Sequence, residues 1–140
     1  MSKTLAALYV LPATMILASP AAAGWQWTEW GMPLEQVASA APEAAVADNS
    51  FRFVGGGIEF VATMFADNGG LSRVVLVPVE LGQCQAVQDA LRQAYGRSDT
   101  GKDAWRDEPH QTYVRLVDMS YTDCSVVYEP IRRGGQQGGL

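Results

Sequence analysis

The hydrophobic residues between Cys84 and Gly96 repeat with the period of an α-helix and define the clearest element of the chain. Cys84, Val87 and Leu91 fall on one stripe, while glutamine, aspartate and arginine side chains occupy the other side. This spacing is typical of a helix that packs on a core. Gly96 stands where a glycine commonly ends a helix. The pattern therefore predicts a packed helix that begins at Cys84 and ends before Gly96.

A second, shorter helix is predicted between Gly31 and Pro42. Pro33 suits the first helical position, because the missing N–H has no partner there in any case. Pro42 ends the helix, since the residue before a proline is pushed out of the helical region. The predicted buried stripe consists of Leu34, Val37, Ala38 and Ala41.

Runs rich in β-branched and aromatic residues predict three strands on each side of the longer helix. Asp67-Asn68-Gly69-Gly70 is a hairpin turn, because Asn and Gly accept positive φ, and 43–50 is a polar connection. Hairpins make the sheet mainly antiparallel. The expected fold is α+β, with two αβββ units, both helices on one face of the sheet and the other face left as a working surface. The predicted strands are 51–54, 58–66, 71–79, 103–107, 111–119 and 124–131.

The first 23 residues have the features of a secretory signal peptide. Lys3 gives a positive start, an apolar run follows, and Ala21-Ala22-Ala23 offers a cleavage site. The alternative is an uncleaved anchor, but the run is shorter than the roughly 20 apolar residues of a spanning helix. We expect a signal peptide over 1–23, a single α+β domain over 24–133, and a disordered tail over 134–140. No membrane insertion is expected after cleavage.

Charge and cysteine content restrict the function further. The chain has 10 basic and 15 acidic residues and a net charge of −5, and its basic residues are scattered. Nucleic acid is therefore not an expected partner, because binding it needs clustered Lys and Arg. Two cysteines in an exported chain predict one disulfide, Cys84–Cys124. Reactive-thiol or metal chemistry is the alternative, but no histidine accompanies the pair in sequence.

The densest polar cluster, 105–110, contains the only histidine. His110 lies near Asp107 and Glu108, so a general base is conceivable, but Pro109 indicates a solvated turn with a surface pair between Arg106 and Asp107. No nucleophile elbow, phosphate loop or metal-ligand spacing is present. We therefore expect no catalytic residue, no metal and no cofactor, and a protein that is not an enzyme.

Surface aromatic residues are the better candidates for function. Trp25 and Trp27 belong to a predicted extended arm with one aromatic face; the alternative is that tryptophans of this arm fill the end of the core. Tyr113 and Arg115 alternate on one side of a predicted strand, and Tyr128 lies in the last strand. Tyrosine and arginine are favoured at interfaces, so these five residues are the candidate partner-binding set.

Trp30-Gly31-Met32 followed by Glu35-Gln36-Val37 resembles the opening of small envelope proteins of the SmpA/OmlA type. The predicted order, in which a helix followed by three strands occurs twice, is also similar to that of beta-lactamase-inhibitor-like proteins. The chain departs from the first family at Pro33, where a capping Ser or Thr is usual, and it lacks that family's lipidated cysteine. The resemblance implies a non-catalytic protein that binds other envelope proteins.

The sequence thus predicts a periplasmic or secreted binding or envelope-maintenance module whose partner is an envelope or periplasmic protein. The alternative is an inhibitor of a secreted hydrolase of the lysozyme or beta-lactamase type. In that case Asp107-Glu108 or the tryptophan arm would enter the enzyme cleft.

Overall fold

A seven-stranded antiparallel sheet forms most of the protein, in the order β1-β2-β3-β4-β7-β6-β5. The computed structural model describes residues 23–98, 103–117, 120 and 122–132. The predicted signal peptide and tail therefore lie outside the described residues, apart from Ala23. The strands are β1 (Ala45–Ala47), β2 (Ser50–Gly55), β3 (Ile58–Asp67), β4 (Gly70–Pro78), β5 (Ala104–Asp107), β6 (Thr112–Val117) and β7 (Ser125–Pro130).

Within the described residues two α-helices accompany the sheet, α1 (Leu34–Ala40) and α2 (Cys84–Tyr95). As predicted, Gly96 follows α2 with a positive φ of 85°, and its N–H donates to the Arg92 carbonyl. Pro33 is the residue that caps α1 rather than its first helical residue. Short 3-10 turns cover Pro42–Ala44 and Glu108–His110. The described part of the chain holds no helix with the length and hydrophobicity that a bilayer crossing requires.

Tight turns join β2 to β3 and β3 to β4. Asn68 and Gly69 both have positive φ, which confirms the predicted hairpin turn. Gly56 and Gly57 turn the chain between β2 and β3, also with positive φ. A Cβ on Gly56 would lie 3.0 Å from the Cβ of Ala90, so a glycine there lets the turn approach α2 closely.

The hydrophobic core lies between the sheet and the helices. Val37 of α1 and the Cys84, Val87 and Leu91 side chains of α2 belong to the same buried cluster as alternate residues of the strands. Buried residues alternate with less buried ones over 58–64 of β3 and 74–77 of β4, as expected for strands with one buried face. The buried hydrophobic side chains of the strands include Phe51, Phe60, Ala62, Met64, Leu71, Val74, Leu76, Val114 and Val126.

The structure confirms the α+β class and the antiparallel sheet and adds one strand to the prediction. The strands before α2 and those after it meet at the centre, where β4 pairs with β7 through Val75 and Val127. The connection predicted over 43–50 is wrong in part, because Ala45–Ala47 pairs with β2 as strand β1. All three of its side chains are exposed, so it left no hydrophobic pattern in the sequence.

The predicted disulfide is present. Cys84 at the start of α2 is bonded to Cys124 just before β7, with a Cα–Cα distance of 5.8 Å. Both cysteines are buried. The bond therefore fixes the first turn of the helix to a central strand of the sheet.

Candidate binding face

The side of the sheet that points away from the core carries a mixed apolar and charged surface, which we name the open face. Both helices direct their buried side chains to the other side. Three of its apolar side chains are strongly exposed: Val54 by 62%, Phe65 by 43% and Val77 by 45%. The registers of the strands place the following residues on it: Arg52, Val54, Glu59, Val61, Thr63, Phe65, Arg73, Val75, Val77, Arg106, Tyr113, Arg115, Val117, Val127 and Glu129.

A buried glutamate lies at the centre of the open face. Glu129 is only 2% exposed although it faces away from the core. Its Oε2 atom lies 3.5 Å from Nε of Arg73 and 3.4 Å from Nη2 of Arg115. The guanidinium of Arg73 also lies over the ring of Phe65, 5.6 Å from its centroid. Phe65, Arg73, Glu129 and Arg115 therefore form a continuous row across four strands, which we name the charged row.

Two polar atoms of the charged row lack a hydrogen-bond partner among the described residues. These are Nε of Arg115 and Oε1 of Glu129, both buried. An unsatisfied buried polar group costs about 1–3 kcal/mol, and more when it is charged. The Arg115 side chain as a whole is 27% exposed.

The four arginines of the open face each lie near a carboxylate of the chain. Arg52 pairs with Glu59, Arg73 and Arg115 share Glu129, and Arg106 pairs with Glu108. The side chains of Arg52, Arg73 and Arg106 are still 63%, 48% and 51% exposed. Each can therefore also contact a carboxylate of another molecule.

The structure brings together two of the five predicted partner-binding residues on this face. Tyr113 pairs with Glu129 across β6 and β7, and Arg115 pairs with Val127. Both side chains are half-buried, whereas Thr112, which precedes them on β6, points into the interior. The alternation that predicted their common side is thus present, while their neighbours Arg73 and Glu129 come from distant segments and gave no signal in the sequence.

The other three predicted residues, Trp25, Trp27 and Tyr128, lie on the core side and not on this face. Trp25 and Tyr128 are 4% and 9% exposed, with ring centroids 6.0 Å apart. Trp27 is half-buried and donates its indole N–H to the Val37 carbonyl at 3.2 Å. Burial on this scale leaves Trp25 and Tyr128 little surface for a protein partner.

The tryptophan segment is a turn and not the predicted extended arm. The N–H of Thr28 donates to the Trp25 carbonyl, and Gln26 has a φ of 51°. The indole N–H of Trp30 donates to the Thr112 hydroxyl at 3.0 Å. The alternative, in which tryptophans fill the end of the core, is the one observed.

The histidine cluster also differs from its prediction. His110 Nδ1 lies 3.0 Å from Oδ2 of Asp107, and Arg106 pairs with Glu108 instead of Asp107. The predicted surface pair of Arg106 and Asp107 is therefore wrong, because the 3-10 turn over Glu108–His110 brings the histidine back onto Asp107. Among the residues that the structure describes, no group of three or more His, Cys, Asp or Glu could hold a metal ion.

Comparisons of the chain with protein-family models, curated proteins and solved structures found no match. The resemblance to SmpA/OmlA-type and beta-lactamase-inhibitor-like proteins therefore rests on the quoted residues and the order of elements alone.

Proposed function

We propose that this protein is an exported, non-catalytic binding module that acts in the periplasm or outside the cell through protein–protein contacts on its open face. Export is supported by the signal features of residues 1–23. It is also supported by the disulfide, since disulfides persist in oxidising compartments.

The charged row is the observation that supports this function most directly. It retains a buried carboxylate, Glu129, and an unsatisfied arginine nitrogen on the side of the sheet that neither of the described helices covers. A buried charged group with an unsatisfied polar atom lowers the stability of the fold unless another group forms a hydrogen bond or ion pair with it. Arginine and tyrosine are the residue types that contribute most at interfaces, and exposed apolar residues surround them here.

The exposed arginines of the open face support an acidic protein surface as the partner. Arg52, Arg73 and Arg106 are about half exposed or more beside their ion pairs within the chain, so they can still bind carboxylates, which guanidinium groups contact in a bidentate manner. Val54, Phe65 and Val77 supply apolar contact beside them. Seven strands that are about 4.8 Å apart and about 20 Å long give one face of the sheet an area of about 600 Å². This is close to the roughly 800 Å² that each partner contributes to a standard interface.

We also propose that the chain consists of two αβββ units. Helix α1 is followed by β1 and the meander β2–β4, and α2 is followed by the meander β5–β7. The two meanders adjoin through their last strands, β4 and β7, and β1 is a short addition to the first unit. The open face then spans both units, and the charged row crosses their junction, with Arg73 from the first and Glu129 from the second.

A pair of matched arginine variants tests the binding function. Arg73 and Arg92 have side chains 48% and 52% exposed, and each forms an ion pair with one carboxylate. Arg73 lies on the open face, whereas Arg92 lies on α2. The exported, oxidised protein is immobilised and exposed to periplasmic extract and solubilised envelope extract, and retained proteins are identified by mass.

The proposal expects one stoichiometric partner, bound less well as salt is raised because the contact is charged. Arg73→Ala and the double variant Tyr113→Ala with Arg115→Ala should lose it, while Arg92→Ala retains it. Lysozyme and beta-lactamase are included as purified candidates, which tests the inhibitor alternative in the same format. Equal retention by Arg73→Ala and Arg92→Ala would show that the open face is not the docking surface.

A further inference from the structure

A separate feature lies on the core side of the sheet, where two adjoining cavities open beneath α2. The first has a volume of about 190 Å³ and is mostly apolar. It lies between α2 and the sheet, and its wall includes Phe53, Phe60, Leu76, Ala90 and Val126. An apolar cavity of about 150 Å³ is large enough for benzene. This space therefore accommodates an aromatic ring or a short alkyl chain.

The second cavity, about 120 Å³ in volume, is polar and lies beside the histidine cluster. Trp25, Tyr95, Asp107, His110 and Tyr128 contribute to its wall. It exists because the N-terminal segment folds onto the 3-10 turn, where the N–H of Gly24 donates to the His110 carbonyl at 3.1 Å. No pattern in the sequence indicated this contact.

Tyr95 and Tyr128 line both cavities. The two spaces therefore adjoin at this tyrosine pair. A ligand that filled both would place its apolar part against α2 and its polar part near Asp107. Its middle would lie along the two tyrosines.

The wall of the polar cavity has the composition of a cation site. It contains three aromatic rings, those of Trp25, Tyr95 and Tyr128, and one carboxylate, that of Asp107. The imidazole of His110 also lines it, with Nδ1 3.0 Å from Oδ2 of Asp107, and no lysine or arginine of the described residues does. Aromatic faces attract ammonium groups, and cages of such rings recognise them in many proteins. Burial raises the pKa of Tyr95, and the negative charge of Asp107 raises it further. The local field thus disfavours an added negative charge.

We propose that the joined cavities bind a small amphipathic amine, with an aromatic ring or short alkyl chain beneath α2 and its ammonium group among the aromatic rings and Asp107. Phenylethylamine has this architecture and serves as the probe. 3-Phenylpropionate, which has the same ring on a chain of similar length but carries a carboxylate, is the matched control ligand. This site is independent of the open face, so either proposal can fail without the other.

Isothermal titration calorimetry on the oxidised, exported protein tests the site. We expect saturable one-to-one binding of phenylethylamine and at least about tenfold weaker binding of 3-phenylpropionate. Asp107→Asn should weaken amine binding by about tenfold or more. Glu108→Gln, which removes the same charge one residue away and outside the cavity wall, should leave it unchanged.

The apolar part is tested by filling it. Ala90→Leu should abolish binding of the amine, whereas Ala86→Leu on the exposed side of α2 should not. If Asp107→Asn fails to fold, which circular dichroism detects, these two variants still test whether the amine binds in the cavity. Absence of saturable amine binding, equal binding of the amine and the carboxylate, or retained binding in Ala90→Leu would each overturn the proposal.

Discussion

Removal of the Cys84–Cys124 disulfide gives the most quantitative prediction about stability. The bond joins residues 40 positions apart and ties the first turn of α2 to β7. In the chain-entropy model, closing a loop of this length stabilises the native state by about 4 kcal/mol. A domain of this size has a free energy of unfolding of roughly 5–15 kcal/mol, so the loss would be a large fraction of the total.

Urea unfolding followed by tryptophan fluorescence measures this loss, since the chain has four tryptophans. The oxidised protein, the reduced protein and the Cys84→Ala/Cys124→Ala variant are compared. With a denaturant slope of about 1.5 kcal/mol/M, the midpoint should fall by about 2–3 M in both bond-free forms. The slope itself should increase, because the unfolded chain without the cross-link exposes more surface.

Reductant added to the double variant is the control and should change nothing. The double variant also removes two buried sulfur atoms, so it should be no more stable than the reduced protein. A loss of less than about 1 kcal/mol in both forms would refute the loop-entropy reasoning, because it would mean that the unfolded chain gains little freedom when the bond is broken.

Three further predictions concern the core, the charged row and the tyrosines. Leu76→Ala, at a site 2% exposed, should lower the free energy of unfolding by about 2–5 kcal/mol, while Val77→Ala next to it on the open face should change it by less than about 0.5 kcal/mol. Glu129→Ala should lower the free energy of unfolding by roughly 2 kcal/mol. This is less than the roughly 3–5 kcal/mol expected when a fully buried ion pair is broken, because both arginines keep contact with solvent. Glu59→Ala, at an exposed pair, should lower it by under about 1 kcal/mol, and urea unfolding measures both changes. Burial raises the pKa of Tyr128 well above its ordinary value, so the neutral form is favoured in the folded state and stability should fall as the pH rises above about 10. Burial also raises the pKa of Tyr95, so absorbance at alkaline pH should show fewer tyrosines titrating near pH 10 in the folded wild type than in the urea-unfolded chain. This difference should become smaller in Tyr128→Phe; full titration of the folded protein near pH 10 would contradict the prediction.

Local patterns were sufficient to predict the helices and hairpins. The 84–95 helix, the Asn68-Gly69 turn and the alternation of Tyr113 and Arg115 depend on neighbouring residues only, and each is present. The disulfide was also predictable, because two cysteines in an exported chain leave one pairing. Strand β1 was missed because its three side chains are exposed and its backbone pairing has no counterpart in hydrophobic periodicity.

The contents of the two candidate sites could not be predicted in the same way. Glu129 gave no sign of burial, since a charged residue near a strand end usually faces solvent, and its partners Arg73 and Arg115 come from two other strands. The tryptophan segment was expected to be extended, but the fold of Gly24 onto His110 turns it into the interior. Both outcomes depend on contacts between residues far apart in the chain, which single-sequence patterns do not encode.

Photo-crosslinking from the open face is the most direct test of the central claim that this face docks an acidic protein surface. Benzoylphenylalanine is placed at Phe65, where an aromatic ring already stands 43% exposed, or at Gln93 on the exposed side of α2 as the control. After irradiation in intact cells, the account predicts one discrete adduct from position 65, whose crosslinked partner peptide is acidic and whose yield falls when Arg73→Ala is added. An adduct from position 93 alone, or no adduct from position 65, would contradict it.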